Sequence, residues 1–136
     1  LEKFELAQDS CGAGTYRSGL GVDIAYHMLD DSYVTVFIEQ QKSEPWTVAE
    51  GKPGRSNRGV LKFPDGSEKP ITKETGLLVP EGGTLEFRTG GGGGYGPPEA
   101  RSAEAIADDL RNGYISLAHV KKYYPHALEA NIKSAA

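Results

Sequence analysis

Five consecutive glycines, Gly90 to Gly94, lead into Tyr95-Gly96-Pro97-Pro98, and no other stretch constrains this chain as much. Glycine loses more backbone entropy on folding than any other residue, so such a run is costly inside a folded domain. It persists where the backbone must take φ > 0, or where another backbone or a ligand comes very close; otherwise it is a mobile linker. Tyr95 and the proline pair argue for order. Two ordered readings follow: close backbone packing, which the residue chemistry favours, and an anion cradle of consecutive N–H groups. The run has no Gly-Lys-Ser/Thr ending, so it is not a P-loop, and no βαβ unit surrounds it as a dinucleotide fingerprint requires.

At 136 residues the chain is one domain, long enough to bury a core and too short for a two-lobed enzyme. Hydrophobic residues make up 38% and charged residues 25%, ordinary for a folded protein. The 18 glycines point to loops and turns rather than a helical bundle. A formal net charge of -4, with no Lys/Arg cluster, argues against a nucleic-acid partner. The single cysteine, Cys11, excludes an intramolecular disulfide and fits a reducing cytoplasm. No leader or transmembrane run is visible, so no membrane partner is expected. A start at Leu1 rather than Met fits a processed product, a fragment or a missing start equally.

Residues 1–98 read as a β-rich domain ending in the glycine-rich loop, and residues 99–136 as a short helical tail. Phe4 and Leu6 alternate with charged residues, and Asp9 to Gly14 is a turn region. Val22, Ile24, Tyr26 and Met28 recur with period two, as do Val34, Val36 and Ile38, with a turn at Asp30-Asp31-Ser32. These two segments predict an antiparallel hairpin with one buried face. Residues 43–58 read as an ordered loop. Gly59–Phe63 and Lys69–Ile71 flank the Asp-Gly turn at Pro64-Asp65-Gly66, and Leu77–Val79 and Leu85–Phe87 flank Pro80-Glu81-Gly82-Gly83 as another hairpin. The fold class is mainly β: a small sandwich or barrel-like domain, then two or three short helices.

In the tail, Ser102 caps a helix through Arg111, with Ile106 and Leu110 on one face and Asp108, Asp109 and Arg111 on the other. Gly113 stops it. Ser116 caps a second helix with Leu117, Val120 and Tyr124 along one stripe, ended by Pro125. The segment from His126 to Ala136 is a third short helix or frays. Such helices must dock on the sheet or on a partner chain.

No constellation of nucleophile, base and oxyanion donors emerges, so no catalytic residue is assigned. His27, His119 and His126 stand in no metal spacing with one another, with Cys11 or with a carboxylate, and read as structural; no metal is expected. Cys11 lies between Ser10 and Gly12 with no base or helix N-terminus beside it, and reads as a packed or turn thiol. The residues nominated for backbone packing or ligand approach are Gly90, Gly91, Gly92, Gly93, Gly94, Tyr95 and Gly96. Trp46, the only tryptophan, is either a core plug or an interface anchor. Lys52 and Arg55, in Gly51-Lys52-Pro53-Gly54-Arg55, read as a solvated turn or as cations meeting an acidic partner, so both join Trp46 as interface candidates.

Several motifs in one order resemble the hydantoinase B/oxoprolinase family. Asp9-Ser10-Cys11-Gly12-Ala13-Gly14-Thr15-Tyr16-Arg17-Ser18-Gly19-Leu20-Gly21 is similar to its D-S-G-G-A-G-x-Y-R-G-G-L-G segment. Gly51-Lys52-Pro53-Gly54 resembles its G-G-K-P-G loop, and the glycine run with Tyr95-Gly96-Pro97 its P-G-G-G-G-Y-G-D-P. Ala105 to Ser116, with Asp108-Asp109-Leu110-Arg111-Asn112-Gly113-Tyr114-Ile115-Ser116, resembles its closing D-V-R-x-G-Y-V-S. Cys11 and Ser18 each replace a family glycine, and Pro97 stands where the family has Asp.

The likeness covers about Leu6 to Tyr124 and corresponds to the C-terminal part of much longer family members. It implies work beside a large hydantoinase B-like subunit and a hydantoinase A-like subunit that carries ATP and Mg, with no cofactor bound by this chain. The function implied is that of an accessory structural subunit of an ATP-dependent ketone carboxylase of the acetophenone carboxylase type, located in the cytoplasm. Two alternatives stand beside it: a subunit of an ATP-dependent hydantoinase or 5-oxoprolinase, and a free-standing protein- or anion-binding β module.

Overall fold

The computed structural model describes residues 1–128. Seven strands follow one another: β1 (Lys3–Leu6), β2 (Val22–His27), β3 (Ser32–Phe37), β4 (Arg58–Lys62), β5 (Glu68–Ile71), β6 (Lys73–Val79) and β7 (Thr84–Arg88). Five make an antiparallel sheet in the order β1-β2-β7-β4-β5, and β3 and β6 pair as a separate antiparallel ribbon. Among the described residues the architecture is mainly β, two sheets packed as an open sandwich with no closed barrel, followed by short helical pieces.

The β4–β5 hairpin forms where the Asp-Gly turn predicts it. Gly66 takes φ 86, and the Asp65 carboxylate accepts from the Ser67 N–H at 2.8 Å. The other two predicted hairpins do not form. β2 pairs with β1 and β7, β3 pairs with β6, and β7 pairs with β2 and β4. The reason lies at the two turns, which clasp each other. The Met28 N–H donates to the Gly83 carbonyl and the Gly82 N–H to the Met28 carbonyl, each at 2.9 Å. Asp31 Oδ1 accepts from the Glu81 N–H at 2.9 Å. At that corner the chain changes sheet twice, so neighbours in sequence become opposite layers.

Those layers enclose one core. Val36 and Val79 from the ribbon meet Leu61, Ile71 and Leu85 from the large sheet. In β2 the buried residue is Ala25, while Tyr26 is partly exposed and meets Phe87 edge-on at 6.2 Å. The edge strand β1 leaves Phe4 and Leu6 exposed.

Helix α1 (Ala103–Arg111) and helix α2 (Leu117–Tyr123) begin at Ser102 and Ser116, whose hydroxyls accept from the Ala105 and His119 N–H groups. Gly113 takes φ 71 just beyond α1. A 3₁₀ turn at Pro98–Ala100 precedes them. The helices bury their apolar stripe on the loop between β1 and β2 rather than on either sheet. Ile106, Ile115, Val120, Tyr124 and Ala127 pack with Cys11 and Ala13. Tyr124 places its hydroxyl 3.1 Å from the Gly14 N–H, which donates to it.

Two predicted faces change. Asp109 is buried, because it lies one helical turn from Ile106 and shares its inward face. On α2, Leu117 is exposed and His119 takes its place in the buried stripe. Residues 125–128 are helical, and the rest of the predicted third helix lies outside the described residues.

Candidate functional site

Three glycine-bearing segments, residues 10–18, 46–55 and 90–96, cross one another and bond backbone to backbone. The Gly92 carbonyl accepts from the Gly12 N–H at 3.1 Å and from Ser18 Oγ at 2.7 Å. Lys52 N–H donates to Ala13 O at 2.8 Å, and Gly94 N–H to Lys52 O at 2.9 Å. Tyr95 exchanges both bonds with Tyr16, at 3.0 and 3.1 Å, and the Gly96 N–H donates to Val48 O at 3.2 Å. Asn57 Oδ1 accepts from the Gly90 N–H at 2.6 Å.

The glycine run fills this layer because no side chain fits. A Cβ on Gly91 would strike the Ser10 carbonyl, one on Gly93 the Trp46 carbonyl, and one on Gly94 the Ala13 carbonyl. Gly92 differs, since a Cβ there would meet only the Ser18 side chain, at 3.1 Å. Within the run, only Gly96 needs the left-handed region, at φ 75. Close approach, not φ > 0, therefore accounts for Gly91, Gly93 and Gly94.

The sequence-nominated side chains end in three different settings. Trp46 is 78% exposed and plugs no core. Lys52 locks its backbone into the layer and leaves its side chain in solvent. Arg55 turns inward: its Nη2 donates to Asp23 Oδ1 at 2.7 Å and to the Thr89 carbonyl at 2.8 Å, so its charge is already matched within the chain. Cys11 is buried, and desolvation pushes its thiol above the ordinary value, which disfavours the nucleophilic thiolate. His27 lies exposed beside Thr84, and His126 meets the Arg101 carbonyl through Nε2 at 2.9 Å. Among the described residues no three of His, Cys, Asp or Glu are grouped to hold a metal ion.

Sequence reasoning missed the charged centre beneath the layer. Asp109 is 5% exposed; its Oδ1 takes Arg17 at 2.8 Å and its Oδ2 takes Arg101 at 2.7 Å. The hydrogen bond to Asp109 raises the Arg17 pKa, and the guanidinium also stands over the Tyr114 ring, 5.2 Å from its centre. Arg101 donates onward to the Thr15 carbonyl at 3.2 Å. One buried carboxylate thus ties α1 to the loop that the glycine run packs on. The available signal was the presence of Arg17 and Asp109 inside two separate family-like motifs. Ser10 was missed too; it is fully buried, donating to Ala7 O at 2.6 Å and accepting from the Gly21 N–H at 2.8 Å.

On the outer side, the layer floors a groove of about 370 Å³. Gly91 to Gly94 line it together with Gln40, Pro45, Trp46, Val48 and Tyr95. The arrangement offers backbone donors and aromatic surface, with rigid geometry from the bonds below. The profile of one family, hydantoinase B/oxoprolinase, matches residues 1–98. The chain belongs to the hydantoinase B/oxoprolinase family.

Among the relatives of this hydantoinase B/oxoprolinase chain, an uncharacterized protein of Methanocaldococcus jannaschii is 34% identical over 90% of this chain and 22% of its own. The caprolactamase subunit beta of Pseudomonas jessenii is 26% identical over 96% of this chain and 23% of its own. The crystal structure of ATP-dependent caprolactamase from that organism superposes with a TM-score of 0.75 at 26% identity, covering 90% of this chain and 22% of that one. Nucleotide-free acetone carboxylase shares the fold, with a TM-score of 0.72 at 20% identity over 89% of this chain and 20% of that one. The chain spans about a fifth of the length of the curated relatives it matches. Among the described residues no helix is long and apolar enough to cross a membrane.

Proposed function

We infer that this chain is a structural, non-catalytic element of an ATP-dependent enzyme of the hydantoinase type, which opens a cyclic amide. In this reading it completes a large hydantoinase B-like body, while a hydantoinase A-like partner supplies ATP and Mg. The observation that carries the reading is the likeness to the caprolactamase beta subunit, in sequence over 96% of this chain and in fold at a TM-score of 0.75. The interior agrees with it. Cys11 is buried as a thiol, and Arg17, Arg101 and Asp109 are spent on one another. The unpaired cysteine suits the cytoplasm, where ATP is also at hand.

A second reading, carboxylation of an aryl ketone such as acetophenone, draws on the motif resemblance and on the fold shared with acetone carboxylase. The test is purification from the source through a tag on this chain, native mass spectrometry, and assay with ATP. Caprolactam, hydantoin and oxoproline probe ring opening; acetophenone and acetone with bicarbonate probe carboxylation. ATP-dependent ring opening supports the first reading, and carboxylation alone replaces it with the second. Recovery of this chain alone and monodisperse overturns both and leaves a free-standing binding module.

A further inference from the structure

Exposed aromatic surface and free backbone donors meet in the groove above the glycine layer. Its rim is largely apolar and open: Trp46 is 78% exposed, Tyr95 54% and Val48 44%, with Gln40 beside them and Tyr16, 68% exposed, next to Tyr95. Tyr16 and Tyr95 stand 6.3 Å apart, centre to centre. Folded chains rarely leave such contiguous aromatic surface to water unless something covers it. Its floor has free donors as well. Among the described residues, the N–H groups of Gly91, Gly92 and Gly93 donate to no acceptor, whereas those of Gly90, Gly94, Tyr95 and Gly96 all do. Carbonyls in a row, alternating with side chains that seek aromatic walls, are what an extended peptide offers. The rim is already held by the Tyr16–Tyr95 and Gly96–Val48 bonds, so docking need order little of it.

The family sets the occupant. More than three-quarters of each relative lies outside the stretch this chain matches, so a far larger body accompanies this surface there. Resting on the structural-element reading above, we propose that an extended segment of the hydantoinase B-like body lies in this groove. Its carbonyls accept from Gly91 to Gly93 and its apolar side chains pack between Trp46, Tyr95 and Tyr16. The outer face of the β3–β6 ribbon is also exposed at Tyr33 and Phe37, but there Phe37 lies opposite Lys73, which pairs with Glu39 at 3.3 Å. Among the described residues the groove rim carries no such pair, and it is the better seat.

The test uses the tagged native complex with the photocrosslinker p-benzoylphenylalanine at position 46, and at position 37 as the reference face. A crosslink from position 46 to the hydantoinase B-like polypeptide, outside the matched stretch, is expected. Amide exchange of residues 90–95 is expected to slow by about tenfold or more in the complex relative to the free chain. A position-46 crosslink only to a second copy of this chain, or none while position 37 reaches the body, overturns the proposal and leaves the structural-element reading standing. So does exchange that slows only when a cyclic amide is added, which assigns the groove to a small molecule. If no hydantoinase B-like polypeptide co-purifies, the structural-element reading itself fails, and the proposal with it.

Discussion

The sandwich core and the glycine layer are both tightly packed, and opposite things fill them. In the sandwich, Leu61, Ile71 and Leu85 from one sheet meet Val36 and Val79 from the other, and side-chain volume holds the layers together. In the glycine layer, three backbones meet with nothing between them, and hydrogen bonds such as Gly12 to Gly92 and Gly94 to Lys52 do the holding. A side-chain core yields by degrees, because neighbours relax into a vacated space. A backbone layer has no rotamers with which to relax. The chain is thus graded in one half and close to all-or-none in the other.

The sharpest way to break that contrast is Gly94→Ala. Its methyl would enter the space of the Ala13 and Gly12 carbonyls, and neither backbone can move without tearing the bonds to Lys52 and Ser18. A loss above about 4 kcal/mol is expected in urea unfolding, which places it among the few substitutions of exceptional effect. Gly92→Ala is the counterpart. Its methyl meets only Ser18, and the change should lie within about 1 kcal/mol of neutral. Near-neutral effects at both positions would show that the run is a slack linker.

Next in size is Asp109→Asn. The substitution leaves Arg17 and Arg101 as two largely buried cations without their carboxylate. Breaking a buried pair in this way costs about 3 to 5 kcal/mol. If the layer depends on the helices through this centre, amide exchange should quicken in residues 10–18 and 90–96 together. Quickening confined to α1 would mean that the helices and the glycine layer are energetically separate.

How much of this was legible follows from what side chains can signal. Strand positions were readable because alternation and the turns at Gly66 and Gly82 are written in side chains and in φ. Strand pairing was misread at β2–β3 and β6–β7. The clasp that overrides it runs through the backbone groups of Met28, Gly82 and Gly83, which any sequence carries. The glycine run announces an ordered backbone through its composition and its flanking Tyr95, but nothing in it names Ser10, Ala13 or Trp46 as the facing residues. Asp109 looked like one more surface carboxylate beside Asp108, since its partner Arg17 is remote in sequence. Trp46 remained even between core and surface until a fold placed it on the rim.

Within the sandwich, Leu61→Ala supplies the graded half of the comparison. Leu61 is fully buried between the sheets, and its truncation should cost about 3 kcal/mol, with the exact loss set by how far Val36 and Ile71 relax. Leu61→Met should recover most of that, since volume-conserving exchanges are tolerated. A Leu61→Met variant no better than Leu61→Ala would show that this core is as unforgiving as the glycine layer.

The smallest effect falls at the seam between helices and loop, and it is read through pH. His119 is buried on α2 with Nδ1 3.6 Å from Asp9 Oδ1, and its ring lies against Tyr123 at 4.8 Å. Burial lowers its pKa below the ordinary imidazole value; Asp9 opposes that shift and Lys122 adds to it. The unfolded chain therefore takes up the proton first as pH falls. The stability associated with neutral His119 is present above about pH 6.5 and is lost as pH falls through the lower folded-state value. Urea midpoints of the native chain should fall more steeply from about pH 7 to pH 5 than those of His119→Gln, which has no proton to gain. A native curve that falls less steeply than that of the variant would mean that His119 is charged in place by Asp9. The seam would then be held by an ion pair, like the Asp109 centre beside it, rather than by packing of a neutral ring.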